Sequence, residues 1–342
     1  MRVGLVGYGT GGQNFHAPFI SATEGLELAG VVARAPATIA KVRADFPDVP
    51  IYPSLTALLA AGVDIVTITT PPQTRRELVL EAISAGVAVI ADKPFAPDAK
   101  TGRELAAAAR AKGVVLGVYH NRRFDADMQT LRQLIEQQKV GKLWRLHNRM
   151  DLDEPHTLEG GETGGLLRDM GSHLVDQAMW LMGPVTAVLA HLDIVDRPEG
   201  PTDASFVLTL THSSGAHSYI SSSKINHLAM RELRLYGDKG SYVAQGSDVQ
   251  ARAIYAGQRP LDDRANWGFE PPEHWGTLHT AAGDEKIPSA QGAYHDYYAA
   301  FAAAVKTGSA PPVTTEQAIS VLEVLDAAFV SAREGRIVSL NP

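Results

Sequence analysis

The sequence predicts two lobes of different build. Residues 1–122 read as an α/β lobe with a doubly wound parallel sheet. Residues 123–342 read as an α+β lobe whose open, mostly antiparallel sheet is flanked by helices. Three observations predict this division. The chain has 342 residues, more than one hydrophobic core usually organises. Its first third alternates short apolar runs with helix-like stretches, and the remainder carries longer segments of period-two alternation. The composition, 45% hydrophobic and 20% charged, is that of an ordinary folded protein.

In the first lobe the strand-like runs fall at Val3–Gly7, Leu28–Ala33, Ile51–Tyr52, Ile65–Thr70, Ala88–Ala91 and Val114–Tyr119. The stretches between them carry helix punctuation. Ala35-Pro36 opens one, Ser54 can cap another, and Gly62, Gly86 and Gly113 fall just past helix ends. Strands alternating with helices imply crossover units and a parallel sheet covered on both faces. Six such strands are the count of a doubly wound dinucleotide fold.

After about Arg122 the pattern changes. A helix around Ala126–Lys139 leads into strands. Ser205–His212 and Ala216–Lys224 flank Ser213-Ser214-Gly215, which reads as a hairpin, and Arg231–Tyr236 and Ser241–Ala244 flank a second turn at Gly237-Asp238-Lys239-Gly240. Helices at Ala293–Lys306 and Thr315–Arg333 close the chain and are candidates to pack back on the first lobe. The stretch Ala256–Gln291, rich in Gly, Pro and Trp, reads as a loop.

Charge and composition narrow the function. Lys+Arg 31 against Asp+Glu 38 gives −7, which disfavours nucleic acid and anionic lipid as partners. The absence of cysteine excludes disulfides, thiolate metal sites and a thiol nucleophile. No apolar run approaches the ~20 residues of a membrane span, and Met1–Gly7 leads straight into a strand rather than a signal peptide. The expectation is a soluble cytoplasmic protein with no membrane partner.

Gly7-Tyr8-Gly9-Thr10-Gly11-Gly12 matches G-x-G-x-x-G through Gly7, Gly9 and Gly12, between a strand and a helical stretch. Glycine suits a tight turn, close approach to a pyrophosphate and helix N–H groups aimed at it. This is the Rossmann fingerprint, with a glycine-rich surface turn as the plainer alternative. The second strand ends Val31-Val32-Ala33-Arg34, without the carboxylate that holds an NAD ribose. Arg34 can pair with a 2′-phosphate, or be a solvated surface arginine. NADP(H) is therefore favoured, with NAD(H) as the alternative.

Asp92-Lys93-Pro94 follows the fifth strand, at the carboxyl edge where ligands bind. There Lys93 can polarise a substrate oxygen, or simply be solvated. Asp169, His173 and Asp176 sit at helical spacing on one face. A carboxylate beside an imidazole suits a histidine general base. A helix-start aspartate with a core histidine is the plainer reading. A metal site would need unseen distant ligands, so none is expected.

Together these segments resemble the glucose–fructose oxidoreductase / inositol dehydrogenase (Gfo/Idh/MocA) family over nearly the whole chain. The motifs are the glycine fingerprint, Asp92-Lys93-Pro94 and the Asp-x-Gly-x-His element Asp169, Gly171, His173. Phe15-His16-Ala17-Pro18, Tyr119-His120-Asn121-Arg122-Arg123-Phe124 and Asp169–Gln177 look like the branch containing NADP-dependent scyllo-inositol dehydrogenases. The resemblance implies an NAD(P)-dependent dehydrogenase or reductase of a cyclic polyol or sugar, working as a homodimer or homotetramer through its open sheet. It implies Lys93 as the polarising group, His173 as acid/base and Asp169 as its holder. It further implies cofactor contacts at Gly7, Tyr8, Gly9, Thr10, Gly12, Arg34, Thr70, Pro71 and Lys93. Substrate contacts would come from Lys93, Asn121, His156, Asp169 and His173.

Two segments depart from the family pattern. Thr70-Pro71-Pro72-Gln73-Thr74-Arg75 lacks the usual histidine, and Asp151–Glu159 is short and acidic where the inositol branch is longer and arginine-rich. An acidic rim favours an uncharged or cationic polyhydroxylated substrate. Two other classes stay open: a non-catalytic NAD(P)-binding sensor, and a glycoside hydrolase that uses NAD transiently.

Overall fold

The computed structural model describes residues 1–161, 164–246 and 248–340. Its strands are β1 (Arg2–Val6), β2 (Glu27–Val32), β3 (Ile51–Tyr52), β4 (Ile65–Ile68), β5 (Ala88–Asp92), β6 (Leu116–Tyr119), β7 (Leu143–Asp151), β8 (Val185–Val195), β9 (Thr202–His212), β10 (His217–Ser223), β11 (Met230–Gly237), β12 (Gly240–Ala244), β13 (Thr277–Thr280), β14 (Gly283–Lys286) and β15 (Val338–Ser339). The α-helices follow the same order. They are α1 (Ala17–Ser21), α2 (Pro36–Asp45), α3 (Leu55–Ala60), α4 (Pro72–Ser84), α5 (Ala99–Lys112), α6 (Ala126–Glu136), α7 (Ser172–Met182), α8 (Val249–Tyr255), α9 (Tyr294–Thr307) and α10 (Thr315–Glu334). Among the described residues no helix is long and apolar enough to cross a membrane.

The chain divides into two compact units. The first holds Met1–Phe124, Gln250–Trp267 and Ala293–Ile319; the second holds Asp125–Val249, Gly268–Gly292 and the described residues from Ser320 onward.

In the first unit all pairings are parallel and the order is β3-β2-β1-β4-β5-β6. All six strands predicted from sequence are present. The order reverses between β1 and β4, and ligands of such sheets bind beyond the strand ends at that point. Ser54 caps α3 by accepting from the Ala57 N–H at 3.1 Å, and Asp98 caps α5 through Thr101 at 2.7 Å. On α9 the residues Tyr294, Tyr297, Tyr298 and Phe301 follow helical spacing and are fully buried. They pack ring to ring with Phe19 of α1 and Tyr119 of β6, at centroid distances of 5.1 and 4.8 Å.

The second unit is built on the sheet β14-β13-β12-β11-β7-β10-β9-β8-β15. Only β7 and β10 pair in parallel; the other neighbours are antiparallel. Both predicted hairpins form, with Thr211 opposite His217 and Tyr236 opposite Ser241. Leu146, Asn148 and Met150 of β7 point to the buried face, while Arg145, His147 and Arg149 point to the other. One expectation needs correcting. The stretch 256–291 is not loop throughout, because β13 and β14 form a hairpin on the β12 edge. Their Thr-, Gly- and charge-rich sequence gives little strand signal, and pairing to β12 decides the conformation.

Candidate active site

β1 delivers the chain into Gly7-Tyr8-Gly9-Thr10-Gly11-Gly12. Gly7 has φ +100°, in the region that only glycine enters readily. A Cβ on Gly12 would lie 2.2 Å from the Gly7 carbonyl oxygen, so no side chain fits there. A Cβ on Gly9 would meet nothing within 4 Å, and its backbone borders open space. The helix that follows begins as a π turn, Gly11–His16, before α1. The first-turn N–H groups of a helix lack intrahelical acceptors and attract anions. The Thr70 hydroxyl, just past β4, is buried and has no hydrogen-bond partner among the described residues. These features fit a dinucleotide laid across the strand ends.

Two cofactor-contact candidates differ in what they expose. Tyr8 is buried, and its hydroxyl donates to Asp45 at 3.0 Å, beside Gln13, which donates to the same oxygen at 2.8 Å. Its ring is thus committed to the fold, leaving its main chain for a ligand. Arg34 is exposed immediately beyond β2, with Ala33, Ala35 and Pro36 as its neighbours in sequence.

At the end of β5 the Asp92 carboxylate accepts from the Thr69 hydroxyl at 2.6 Å and from the Lys93 N–H at 2.8 Å. It lies 3.3 Å from Nε2 of His16, whose Nδ1 is 2.6 Å from the Tyr298 hydroxyl. Burial alone would raise the Asp92 carboxyl. His16, Arg75 and Thr69 outweigh that and hold it well below the usual carboxylate range. The buried Arg75 guanidinium donates to the carbonyls of Thr70, Asp92 and Pro94. One side chain therefore ties together the segments that follow β4 and β5, with half-buried Lys93 between Asp92 and Pro94. The family departure at Arg75 is structural in effect, since this arginine fastens the loop that carries Lys93.

The segment carrying His173 also begins with a π turn, Leu167–Gly171, which runs into α7. Such turns recur at functional sites. Its start is held from β9, where the buried Asp203 carboxylate accepts from the Leu167 N–H at 2.6 Å. Gly165, at φ +99°, makes this possible, because a Cβ there would fall 2.0 Å from Asp203 Oδ1. Further along, Gln177 accepts from Asn148 at 2.9 Å; Asn148 accepts from Arg231, which pairs with Asp127 at 2.8 Å. That buried chain ties α7 to β7, β11 and α6, and so fixes the rotation of the helix that bears His173.

Exposure separates the three residues expected on one face. Asp169 is half-buried, whereas His173 and Asp176 are buried. Asp169 Oδ2 lies 3.0 Å from Nζ of Lys224, a buried lysine at the end of β10. Asn121 is buried in a short turn of the first unit, and His156 is exposed in another turn of the second. The acidic stretch is less of an anionic rim than its composition suggests. Asp151 is buried and paired with Arg149 at 2.6 Å, and Asp153 lies 3.7 Å from His227.

Sequence reasoning missed Lys224, Asp203 and the Asn148–Arg231 link. His16 left a trace inside the stretch Phe15–Pro18, and Arg75 one at the end of the departing segment Thr70–Arg75, without the contacts of either. The others act across pairings between strands and helices distant in sequence.

The fold and the loop beyond β1 define a nicotinamide-nucleotide-dependent oxidoreductase. Residues 1–120 match the family described as "Oxidoreductase family, NAD-binding Rossmann fold", and residues 128–243 match the GFO/IDH/MocA C-terminal domain. The chain belongs to the Gfo/Idh/MocA family of oxidoreductases. It is 32% identical to scyllo-inositol 2-dehydrogenase (NADP(+)) IolW of Bacillus subtilis (strain 168), over 100% of this chain and 96% of that protein. It is 32% identical to the oxidoreductase YdgJ of Escherichia coli (strain K12), over 97% and 96% of the two chains. The solved structure of the oxidoreductase yvaA from Bacillus subtilis superposes with a TM-score of 0.90 at 31% identity, covering 99% of this chain and 98% of that one.

Proposed function

We propose that this protein is an NADP(H)-preferring dehydrogenase or reductase acting on a CH–OH or carbonyl group of an uncharged cyclic polyol or sugar. The observation that carries the reading is that both acid–base candidates sit on braced elements. Lys93 adjoins Asp92 and the Arg75 staple, and His173 lies on a helix tied by Asp203 and Gln177. Chemistry depends on such bracing, because reacting groups must be held in a defined geometry.

When bound, the nicotinamide supplies the hydride acceptor or donor. Lys93 hydrogen-bonds the reacting oxygen and stabilises the negative charge that builds there. His173 takes the hydroxyl proton in oxidation and returns it in reduction. Asp169 orients His173 and receives a second substrate hydroxyl, with Asn121 and His156 as further substrate contacts. Gly7, Tyr8, Gly9, Thr10 and Gly12 hold the pyrophosphate by their main chains, and Thr70 and Pro71 border the nicotinamide ribose. Arg34, exposed and with no carboxylate next to it in sequence, meets a 2′-phosphate. The NADP dependence named for IolW supports the same preference.

The protein is proposed to work in the cytoplasm as a homodimer or homotetramer. Val207 and Tyr219, exposed on the open face of the second unit's sheet, supply apolar surface for the contact.

A panel of cyclic polyols, ketoses, sugar phosphates and sugar acids, assayed with both cofactors, tests the reading. Turnover of an uncharged cyclic polyol or sugar with NADP(H) is expected. A marked preference for a phosphate or carboxylate substrate overturns the substrate class. Product formation without net cofactor turnover selects the hydrolase reading.

A further inference from the structure

Lys224 is a cation where a cation is costly. It directly follows β10 with its side chain 6% exposed, and it has no part in the acid–base chemistry proposed for Lys93 and His173. A buried ammonium loses its hydration, and a counter-charge must compensate that loss. The compensating group is the Asp169 carboxylate, whose Oδ2 lies 3.0 Å from Nζ and whose side chain is 44% exposed. One carboxylate thus faces a buried lysine on one side and reaches accessible space on the other.

We infer that Lys224 is a positioning residue for the reaction, holding Asp169 as a fixed, permanently ionised acceptor for a substrate hydroxyl. The inference rests on the proposed dehydrogenase reading and divides its labour. Asp169 carries no proton during turnover, because protonating it would strand the Lys224 charge. The mobile proton is left to His173. The site then accepts a substrate through at least two hydroxyls, the reacting one and the one Asp169 binds, which selects a polyol over a simple alcohol.

The test compares Lys224→Met, Lys224→Arg, Asp169→Asn and the double variant Lys224→Met/Asp169→Asn. In assays on a polyol, Lys224→Met should raise KM about tenfold or more with a smaller effect on kcat, and Lys224→Arg should recover most of the loss. The double variant should be no worse than the poorer single variant, since Lys224 acts through Asp169. In the cofactor-free protein, carboxyl NMR should show the Asp169 titration moving to higher pH in Lys224→Met. That readout holds even if Lys224→Met is unstable to assay, because Lys224→Gln can replace it. Additive losses in the double variant, or an Asp169 titration unmoved by removing the lysine, overturn the inference. Lys93→Met and His173→Ala, run alongside, keep the two claims apart. If both turn over normally the dehydrogenase reading fails, whatever the NMR shows. If both are crippled while Lys224→Met matches wild type, only the Lys224 assignment falls.

Discussion

The Asp203 carboxylate accepts from the backbone N–H of Leu167 at 2.6 Å, a contact between β9 and the start of the helix that carries His173. It works as a cap supplied from 36 residues away in sequence. Removing it leaves a buried N–H unsatisfied, which costs about 1–3 kcal/mol. Asp203→Ala should therefore lower unfolding free energy by about that amount and reduce turnover. Asp203→Asn keeps an acceptor oxygen and should retain most of both. Equal behaviour of the two variants in urea denaturation would show that the contact does not hold the helix.

Gly12 has no space for a side chain beside the Gly7 carbonyl. Gly12→Ala should force the turn open and weaken cofactor binding by tenfold or more. Gly9→Ala meets no protein atom, so it should leave Tm close to wild type while still weakening the dinucleotide that approaches its backbone. Cofactor titration by fluorescence, paired with thermal melts, separates the two effects. Wild-type affinity in Gly9→Ala would remove that backbone from the pyrophosphate site.

Arg34 sets the cofactor prediction. NADP(H) should bind more tightly than NAD(H), and Arg34→Ala should narrow the gap mainly by weakening NADP(H). Titrating both cofactors against both proteins decides it. Equal wild-type affinities, or an unchanged preference in the variant, would end the case for a 2′-phosphate contact.

Lys93 and His173 should matter for chemistry rather than folding. General acid–base assistance is worth about 10²–10⁴ in rate. Lys93→Met and His173→Ala should lower kcat across that range with cofactor affinity little changed. Oxidation should decline on the acid side, where a protonated His173 cannot accept the hydroxyl proton, and His173→Ala should lose that limb. Near-normal turnover in His173→Ala with its pH profile intact would place the proton transfer elsewhere.

His212 gives a pH-dependent stability. Its Nδ1 lies 2.8 Å from the Gly183 carbonyl, which can only accept, so Nδ1 carries the proton; Nε2, 2.7 Å from the Ser218 hydroxyl, then accepts. Burial lowers the pKa of this ring, with Gly183 opposing and His217 adding to the effect. The unfolded chain takes up a proton near pH ~6.5 while the folded chain resists. The contribution is therefore present above that pH and lost as pH falls below it. Urea denaturation at pH 7.5, 6 and 5 should show wild type losing stability faster than His212→Gln. A constant gap between the two proteins would mean that His212 does not titrate with unfolding.

The sequence by itself determined the elements of the first unit and marked the candidate site motifs. Buried parallel strands are continuous apolar runs, helix ends carry glycine, proline and side-chain caps, and Gly7 and Gly12 are dictated by a local turn that no other residue can make. Such signals are short-range and survive in one dimension. Asp92-Lys93-Pro94 and Asp169–His173 were legible for the same reason, as compact motifs at a strand end and on a helix. Tertiary structure decided what surrounds them. Asp203 reaches Leu167, Lys224 reaches Asp169, and Arg75 reaches the carbonyls of Asp92 and Pro94 only because sheet pairing and helix packing bring distant segments together. β13 and β14 formed for a similar reason, their weak strand propensity being overridden by the open edge of β12. The acidic look of residues 151–159 was likewise changed by partners outside or at the margin of the stretch, Arg149 and His227. A buried charge must find its counter-charge in space, and the spacing of residues along the chain does not say where that partner lies.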